Sequence, residues 1–287
     1  MLEAVMCRAR PPLTRAAAVA VAVVALLSGC DAEPVTGQSP SAGGMPGSGE
    51  YLPGLRAVVE EPVRDPDAVF LVVPGGSFRA ADPTSLLPLG VDLAGEGFTT
   101  VTITYHTASD DAYYPRLVEE VSCAIAFAAS QAPDVPVIVV GHSAGANLVM
   151  LAGLQPLRTD VGCPYAPRAA DAIVGLAGPY DIHMSSIGEN LFGVPQSQDP
   201  ELWRDGNPLT WAGSRPEVPV LLVHGEADEM LPVSFTEEMA EALERSGHDV
   251  VAEYPAGARH NDLFRSEVIL AQLVDWTRDT VLADVAD

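Results

Sequence analysis

The chain has 287 residues, of which 48% are hydrophobic, so it is long and apolar enough for one large domain with a substantial core. Its 39 acidic and 15 basic residues give a net charge of −24, and all of the basic residues are arginine. Arginines cluster only near the N-terminus. Because a phosphate backbone requires a basic surface, this composition argues against nucleic-acid binding.

The N-terminal segment predicts export from the cytoplasm. Three arginines precede an apolar run, Ala16–Leu27, that is too short and too rich in alanine for a membrane span. The run ends in Leu27-Ser28-Gly29-Cys30, which resembles the bacterial lipobox, where cleavage occurs just before a cysteine that carries lipid. We therefore expect residues 1–29 to be a lipoprotein signal peptide and Cys30 to be the lipidation site. An ordinary secretory signal with an incidental cysteine is the alternative.

Residues 30–50 are rich in glycine, serine and proline, which is typical of a flexible tether. Such a tether would join the lipid anchor to a domain that spans residues 51–287. The sequence thus predicts a protein outside the cytoplasm, either anchored to the bacterial cell membrane as a lipoprotein or secreted.

From Val58 onward, short apolar runs alternate with longer helical patterns. Several runs are almost entirely apolar, as expected for strands of a parallel sheet that is covered on both faces. The alternation predicts a doubly wound α/β domain. The predicted strands are Val69–Pro74, Thr99–Thr104, Val135–Val140, Ala172–Ala177, Val218–Val223 and Val250–Tyr254. The predicted helices are Leu86–Gly95, Pro115–Gln131, Ala144–Leu154, Ser234–Ser246 and Leu263–Leu282.

One connection is too long for a plain crossover, because about forty residues separate Ala177 from Val218. Long loops in compact domains are frequently functional, so we expect residues 178–217 to form a small cap over the site. An outer layer with a small core of its own is the alternative. Five aromatic residues either line a pocket or pack locally: Tyr113, Tyr114, Phe192, Trp203 and Trp211.

The four cysteines divide into two groups. Cys7 lies in the signal and Cys30 at its end, which leaves Cys123 and Cys163 as an even pair in an exported protein. A disulfide between them is plausible, and two buried free thiols are the alternative. No cluster of histidine and cysteine has the spacing of a zinc site, so no metal is expected.

Gly141-His142-Ser143-Ala144-Gly145 matches the pattern G-x-S-x-G. The motif follows a predicted strand and precedes a predicted helix, which is the setting of a nucleophilic serine on a strained turn. A side chain at either glycine would clash in so tight a turn. Ser143 is therefore the expected nucleophile.

A serine hydroxyl needs a base that removes its proton. His260 lies just past the last predicted strand, whereas His106 precedes the serine and so breaks the expected chain order of serine, acid and histidine. The acid should orient the imidazole from the loop that follows Val218–Val223. Three residues of this loop are candidates for the acid: Glu226, Asp228 and Glu229.

Negative charge that develops on a substrate oxygen needs backbone N–H donors. One donor should be Ala144, the residue after the nucleophile. Others should come from Pro74-Gly75-Gly76-Ser77-Phe78, where glycine lets the backbone approach a substrate closely. An ordinary Gly-Gly turn is the alternative.

From about Val69 to the C-terminus, the chain resembles the hormone-sensitive-lipase-like and feruloyl-esterase-like carboxylesterases of the α/β-hydrolase superfamily. Residues 74–78 are similar to their H-G-G-G-F motif, with Pro74 in place of the histidine and Ser77 in place of the third glycine. The family's long N-terminal cap helices are absent, so a relatively open site is expected. Further similar stretches are Tyr105-His106 with Pro115 (N-Y-R…P, with His106 in place of arginine), Gly178-Pro179-Tyr180-Asp181 (G-x-Y-D), and Asp199–Trp203 with Asn207-Pro208-Leu209 (the feruloyl-esterase-like cap).

The resemblance implies an α/β-hydrolase fold and assigns roles to particular residues. The pattern H-G-x-x-D-x-x-x-P places Asp228 in a triad with Ser143 and His260, and the backbone of Gly76 and Ser77 joins Ala144 in the oxyanion hole.

Such a site implies a serine carboxylic-ester hydrolase that acts through an acyl-enzyme on a small-molecule ester and needs no cofactor. No obligatory protein partner is evident. Two alternatives stay open: an amidase of the arylformamidase kind on the same scaffold, and a catalytically idle lipoprotein that binds at the cell surface.

Overall fold

The computed structural model describes residues 47–158 and 160–283. The predicted signal peptide, Cys30 and most of the predicted tether lie outside these residues. Within them, eight strands form one sheet in the order β1-β2-β4-β3-β5-β6-β7-β8. The strands are β1 (Ser48–Leu52), β2 (Leu55–Glu60), β3 (Val69–Val73), β4 (Thr99–Ile103), β5 (Val137–His142), β6 (Ala172–Leu176), β7 (Val220–Val223) and β8 (Val250–Glu253).

The sheet is antiparallel at one edge and parallel elsewhere. β2 pairs antiparallel with β1 and with β4, and all the pairs from β4 to β8 are parallel. This arrangement confirms the predicted doubly wound, mostly parallel sheet. Because the carboxyl ends of parallel strands share one edge, the loops after β3, β5, β7 and β8 meet there, and they carry the predicted triad and the residues predicted for the oxyanion hole.

Helices cover both faces of the sheet. The strands are buried on both sides: Val69, Leu71 and Val73 of β3 belong to one core, whereas Phe70 and Val72 belong to the other. The first core includes α2, α3 and α6, and the second includes α1 and α7. Double burial is the reason these strands read as unbroken apolar runs. The helices are α1 (Leu87–Gly95), α2 (Arg116–Gln131), α3 (Ala144–Leu154), α4 (Gly188–Phe192), α5 (Pro200–Asp205), α6 (Ser234–Arg245) and α7 (Ser266–Trp276).

The boundary between tether and domain was predicted too late. Strand β1 begins at Ser48, inside the segment 30–50, and the carbonyl of Gly47 accepts from the amide of Val59 at 2.6 Å. The prediction failed because the first three residues of β1 are polar or glycine and exposed. They form a strand only through antiparallel pairing with β2, which was not predicted either.

The last predicted helix, Leu263–Leu282, is divided in the structure. A 3-10 helix, His260–Phe264, ends at Arg265, whose extended backbone (φ −91°, ψ 127°) separates it from α7. A π-helical turn, Thr277–Val281, follows α7. Within the part of the chain that the structure describes, no helix is long and apolar enough to cross a bilayer.

Cys123 of α2 and Cys163, in the loop after α3, form a disulfide with Cα atoms 5.5 Å apart. The bridge closes a span of 40 residues. In the chain-entropy account, a loop of this length stabilises the fold by about 4 kcal/mol.

Candidate active site

Ser143 occupies a strained turn between β5 and α3. Its backbone has φ 53° and ψ −120°, and its amide donates to the carbonyl of Leu176 at 2.8 Å. Both flanking glycines are required by close approach: a Cβ on Gly141 would lie 2.3 Å from the carbonyl oxygen of Gly145, and a Cβ on Gly145 would lie 2.3 Å from that of Val73. A positive φ at a non-glycine residue persists only where the surrounding structure holds it. Here the parallel strands and the N-terminus of α3 do so.

His260 begins the 3-10 helix after β8, and its ring meets Asp228 from the loop after β7. His260 Nδ1 lies 2.7 Å from Asp228 Oδ2, and both side chains are at least 98% buried. Since an ionised carboxylate only accepts hydrogen bonds, Nδ1 carries the proton. Nε2 of the neutral ring is then free to accept a proton from another group, as a general base requires.

Three donors hold Asp228, and a fourth N–H group lies close to it. Oδ1 accepts from the backbone amides of Met230 at 2.8 Å and Leu231 at 2.9 Å. Oδ2 accepts from His260 and also lies 3.1 Å from Nε2 of His224. Burial by itself would raise the pKa of Asp228, but the amide of Leu231, the ring of His260 and the amide of Met230 together hold that pKa below its ordinary value. The carboxylate is therefore both ionised and fixed in orientation.

His224 is the partner of Asp228 that the sequence did not reveal. Its Nε2 faces two acceptors, the carbonyl of Leu231 at 3.1 Å and Asp228 Oδ2, so Nε2 carries the proton. Burial lowers the pKa of His224, which favours the neutral ring, and Nδ1 then accepts from the hydroxyl of Thr236 at 2.7 Å. The sequence places His224 only at a strand end, because its link to Asp228 depends on how the loop folds back.

The other two candidate acids lie elsewhere. Glu226 is exposed, and its amide donates to the carbonyl of Pro255. Glu229 forms a surface pair with Arg259 at 3.5 Å. Among the three acids of this loop, Asp228 is the one whose carboxylate is hydrogen-bonded to His260.

The loop at residues 74–78 lies against the nucleophile turn. A Cβ on Gly75 would lie 2.8 Å from Ser143 Cβ, so only glycine fits there. Gly76, Ser77 and Phe78 all have positive φ. Within residues 47–158 and 160–283, the amides of Gly76, Ser77 and Ala144 donate to no protein acceptor, which leaves them available to an oxygen of a bound molecule.

Two side chains hold this loop by its carbonyl groups. The hydroxyl of Tyr105 donates to the carbonyl of Pro74 at 2.9 Å, and Asn190 Nδ2 donates to the carbonyl of Ser77 at 3.0 Å. These two contacts hold the loop in place, although Pro74 stands where the family's motif has histidine. Asn190 belongs to the predicted cap segment and was not singled out by the sequence.

Ser143 and His260 line one cavity of about 550 Å³, hereafter the serine cavity. That volume lies within the usual range for ligand pockets, roughly 300–1,000 Å³. The serine cavity is lined by Gly75, Gly76, Ser77, Ala80, Asp82, Thr84, Ser85, Leu86, His142, Ser143, Met230, His260, Asn261 and Phe264.

His142 supports the wall of the serine cavity. Its Nε2 lies 3.0 Å from the carbonyl oxygen of His260, and its ring contacts those of His260 and Phe264 with centroids 4.8 and 5.2 Å apart. Burial, and then the neighbouring His260, lower the pKa of His142 to about 4. The ring is therefore neutral at physiological pH and donates Nε2–H to the His260 carbonyl, which fixes the backbone of His260.

The segment 178–217 does not cover the serine cavity. None of the five aromatic residues lines it. Phe192 and Trp203 are buried against each other with centroids 4.5 Å apart, and Tyr114 packs against Phe192 at 5.7 Å. The buried side chains of the segment, including Leu191, Phe192 and Trp203, belong to the same core as α2 and α3, so the segment has no separate core, and none of its residues lines the serine cavity as the predicted cap would. The aromatic side chains turn inward because the segment must bury its apolar surface.

The family model BD-FAE matches residues 60–243, which is more than half of the chain. The chain belongs to the BD-FAE family of α/β-hydrolase esterases. This result confirms the resemblance drawn from the sequence motifs.

The chain is similar to Esterase LipQ of Mycobacterium tuberculosis, with 26% identity over 79% of this chain and 60% of that protein. It is also similar to Kynurenine formamidase avaC of Aspergillus versicolor, with 26% identity over 54% of this chain and 64% of that protein. The chain thus spans about three fifths of the length of these curated relatives.

Among solved structures, the thermophilic esterase Est2 of Thermogutta terrifontis with bound propionate aligns with a TM-score of 0.63 and 18% identity, over 80% of this chain and 89% of that chain. The bifunctional GH43-CE protein of Bacteroides eggerthii aligns with a TM-score of 0.65 and 22% identity, over 78% of this chain and 33% of that one. These similarities show the α/β-hydrolase fold.

Proposed function

We propose that this protein hydrolyses carboxylic esters, with Ser143 as the nucleophile, His260 as the base and Asp228 as the acid that orients the base. The observation that carries the proposal is the hydrogen bond of 2.7 Å from His260 Nδ1 to a buried, ionised Asp228, in a ring that lines the same cavity as Ser143. A neutral imidazole fixed in this tautomer presents Nε2 as the proton acceptor.

In the first half of the reaction, Ser143 Oγ attacks the ester carbonyl while His260 Nε2 takes the hydroxyl proton. The backbone amides of Gly76, Ser77 and Ala144 stabilise the oxyanion that forms. His260 then donates its proton to the leaving alcohol, and an acyl-enzyme on Ser143 remains. In the second half, His260 takes a proton from water, the hydroxide attacks the acyl group, and the acid is released as Ser143 recovers its proton.

A fluorophosphonate probe tests the nucleophile directly. The probe should label the unaltered protein at Ser143 and should fail to label Ser143→Ala, and that variant should lose kcat for p-nitrophenyl acetate by a factor on the order of 10⁶. Circular dichroism should show that the variant keeps its fold. Hydrolysis by Ser143→Ala at the rate of the unaltered protein would reject the proposal. If the unaltered protein were neither labelled nor active, the result would favour a catalytically idle binding lipoprotein.

Formamide hydrolysis is a second candidate, because one relative is a kynurenine formamidase. The same groups would act, but the leaving group would be an amine that needs protonation by His260 before the C–N bond breaks. The two activities are separated by a panel of p-nitrophenyl esters of rising chain length, a feruloyl ester and an aryl formamide. A kcat/KM for the formamide above that for every ester would assign the second activity.

We further propose that the protein is a lipoprotein held outside the cytoplasm by lipid on Cys30, supported by the lipobox-like run Leu27-Ser28-Gly29-Cys30. Cys30→Ala should move the protein out of the membrane fraction, because acyl chains provide the anchoring. Mass spectrometry should find a mature N-terminus at Cys30 that carries lipid. An unmodified N-terminus at another residue would contradict the proposal.

A further inference from the structure

A second cavity adjoins the serine cavity. It has a volume of about 290 Å³, and Met230 lines both cavities. We call it the side cavity. Its lining comes from segment 178–217, from the loop after Asp228 and from the start of α6: Met184, Ser185, Ser186, Met230, Leu231, Pro232, Ser234, Phe235 and Glu238.

Met230 lies where the two cavities meet. Its amide donates to Asp228 Oδ1 at 2.8 Å, so its backbone is fixed relative to the acid of the triad. Its side chain is nevertheless 56% exposed, and Met184 on the other rim of the side cavity is 75% exposed. Two exposed thioether side chains beside a reactive serine are suited to contact with an apolar ligand, because methionine adapts to irregular shapes.

The charge of the lining restricts what the cavities accept. Apart from histidines, the ionisable residue that lines the serine cavity is Asp82, and the one that lines the side cavity is Glu238. No arginine lines either cavity in the described part of the chain. The whole chain carries a net charge of −24. An anionic substrate arm would therefore meet like charge and no counter-ion, whereas a neutral or cationic arm would not.

We propose that the side cavity is a second substrate subsite, which takes an uncharged or cationic, partly apolar arm of the ester on the far side of Met230. This inference rests on the proposed ester hydrolysis at Ser143. It names the substrate class as esters long enough to extend from the serine cavity past Met230.

The test fills the side cavity and compares a long ester with a short one. Ser234→Trp places a bulky ring in the side cavity, and Glu244→Trp places the same ring on an exposed position of α6 that lines neither cavity. Two series are measured: ethyl esters with a lengthening acyl chain, and acetate esters with a lengthening alcohol. Ethyl acetate is the short reference in both.

Ser234→Trp should lower the ratio of kcat/KM for the long ester to that for ethyl acetate by roughly tenfold or more in one of the two series. The series that responds identifies the arm that enters the side cavity. Glu244→Trp should leave the ratio unchanged. Equal ratios in Ser234→Trp and Glu244→Trp, in both series, would overturn the subsite.

The effect of charge on the substrate arm is measured in the series that responds to Ser234→Trp. Arms of equal length that end in a methyl, a trimethylammonium or a carboxylate group should rank with the carboxylate last. Glu238→Gln should reduce the preference for the cationic arm, and added salt should reduce it too. A carboxylate arm accepted as well as the methyl arm would overturn the assigned class.

Failure of the proposed ester hydrolysis would give a different result from failure of the subsite. If the unaltered protein showed neither fluorophosphonate labelling nor hydrolysis of ethyl acetate, the proposed function would fall and the subsite with it. If the unaltered protein were labelled and hydrolysed ethyl acetate, but Ser234→Trp and Glu244→Trp gave equal ratios of kcat/KM, only the subsite would be rejected.

Discussion

The two sides of the candidate site differ in how tightly they are determined. On the side of His260, which we call the base side, Asp228 accepts from three donors, and the side chains of His224, Asp228 and His260 are almost completely buried. On the open side, which we call the rim, Met184 and Met230 expose most of their surface.

This difference separates chemistry from recognition. A saturated, buried network has one arrangement, because any other would leave a polar group unpaired at a cost of about 1–3 kcal/mol. An exposed methionine has several rotamers at little cost, so the rim can fit different substrates without disturbing the base. Substitutions on the base side should therefore change kcat, and substitutions on the rim should change selectivity.

Among substitutions around His260, the largest expected effect is that of Asp228→Asn. A neutral amide cannot stabilise the imidazolium and favours the wrong tautomer of His260, so kcat should fall on the order of 10⁴-fold, as in serine proteases, with the fold retained. Glu226→Gln and Glu229→Gln are matched controls in the same loop and should change kcat little. Steady-state kinetics on the three variants decides the assignment: a collapse in Glu229→Gln with a nearly normal Asp228→Asn would move the acid to Glu229.

Acid should destabilise the folded protein through His142. The pKa of His142 is lowered by burial to about 4, below its ordinary value of 6.5, so the unfolded chain binds a proton that the folded protein does not hold between those values. The free energy of unfolding should therefore fall as the pH drops from 6.5 to 4, by up to about 1.4 kcal/mol per unit from this residue.

Chemical denaturation across this pH range measures the slope. His142→Gln keeps an amide that can donate to the His260 carbonyl but does not titrate, so its slope should be shallower by His142's share. A slope identical to that of the unaltered protein would show that folding does not lower the pKa of His142.

His224→Leu tests whether the second imidazole matters to the base side. Loss of the N–H that faces Asp228 Oδ2 should lower kcat by roughly 10- to 100-fold with little change in KM, because a hydrogen bond to a charged group contributes about 1.5–3 kcal/mol. Oδ2 of Asp228 would then face His260 without a competing N–H from His224, so the carboxylate should stabilise the protonated ring more and the acid limb of the pH profile for kcat/KM should shift to higher pH. Thr236→Val, which removes a contact to His224 but none to Asp228, should have the smaller effect on both. An unshifted acid limb in His224→Leu would assign that histidine to packing only.

The smallest expected effect is that of Asn190→Ala. Asn190 lies in segment 178–217 and contacts the loop at residues 74–78. Asn190 holds the carbonyl of Ser77, and its loss should loosen the oxyanion loop and lower kcat by about 2- to 10-fold, the equivalent of one neutral hydrogen bond. Asn261→Ala is the comparison, since Asn261 lines the serine cavity without a described contact to that loop. Equal kinetics for Asn190→Ala and the unaltered protein would show that Tyr105 alone suffices to hold the loop.

The sequence by itself determined the features that depend on neighbours along the chain. The strand, turn and helix around Ser143 are local, because the two glycines and the apolar run that create the turn lie within ten residues of the serine. The parallel strands were readable for the same reason: burial on both faces leaves an apolar run that needs no knowledge of its partners.

Only the tertiary structure decided features that depend on distant contacts. Strand β1 exists through pairing with β2, Phe192 and Trp203 of segment 178–217 join the core around α2 and α3, and His224 comes near Asp228 only once the loop after β7 folds back. The side cavity is lined by two stretches that are far apart along the chain, residues 184–186 and 230–238, and no pattern within either one predicts the other. The sequence specifies which groups are present, but their common position is a consequence of packing.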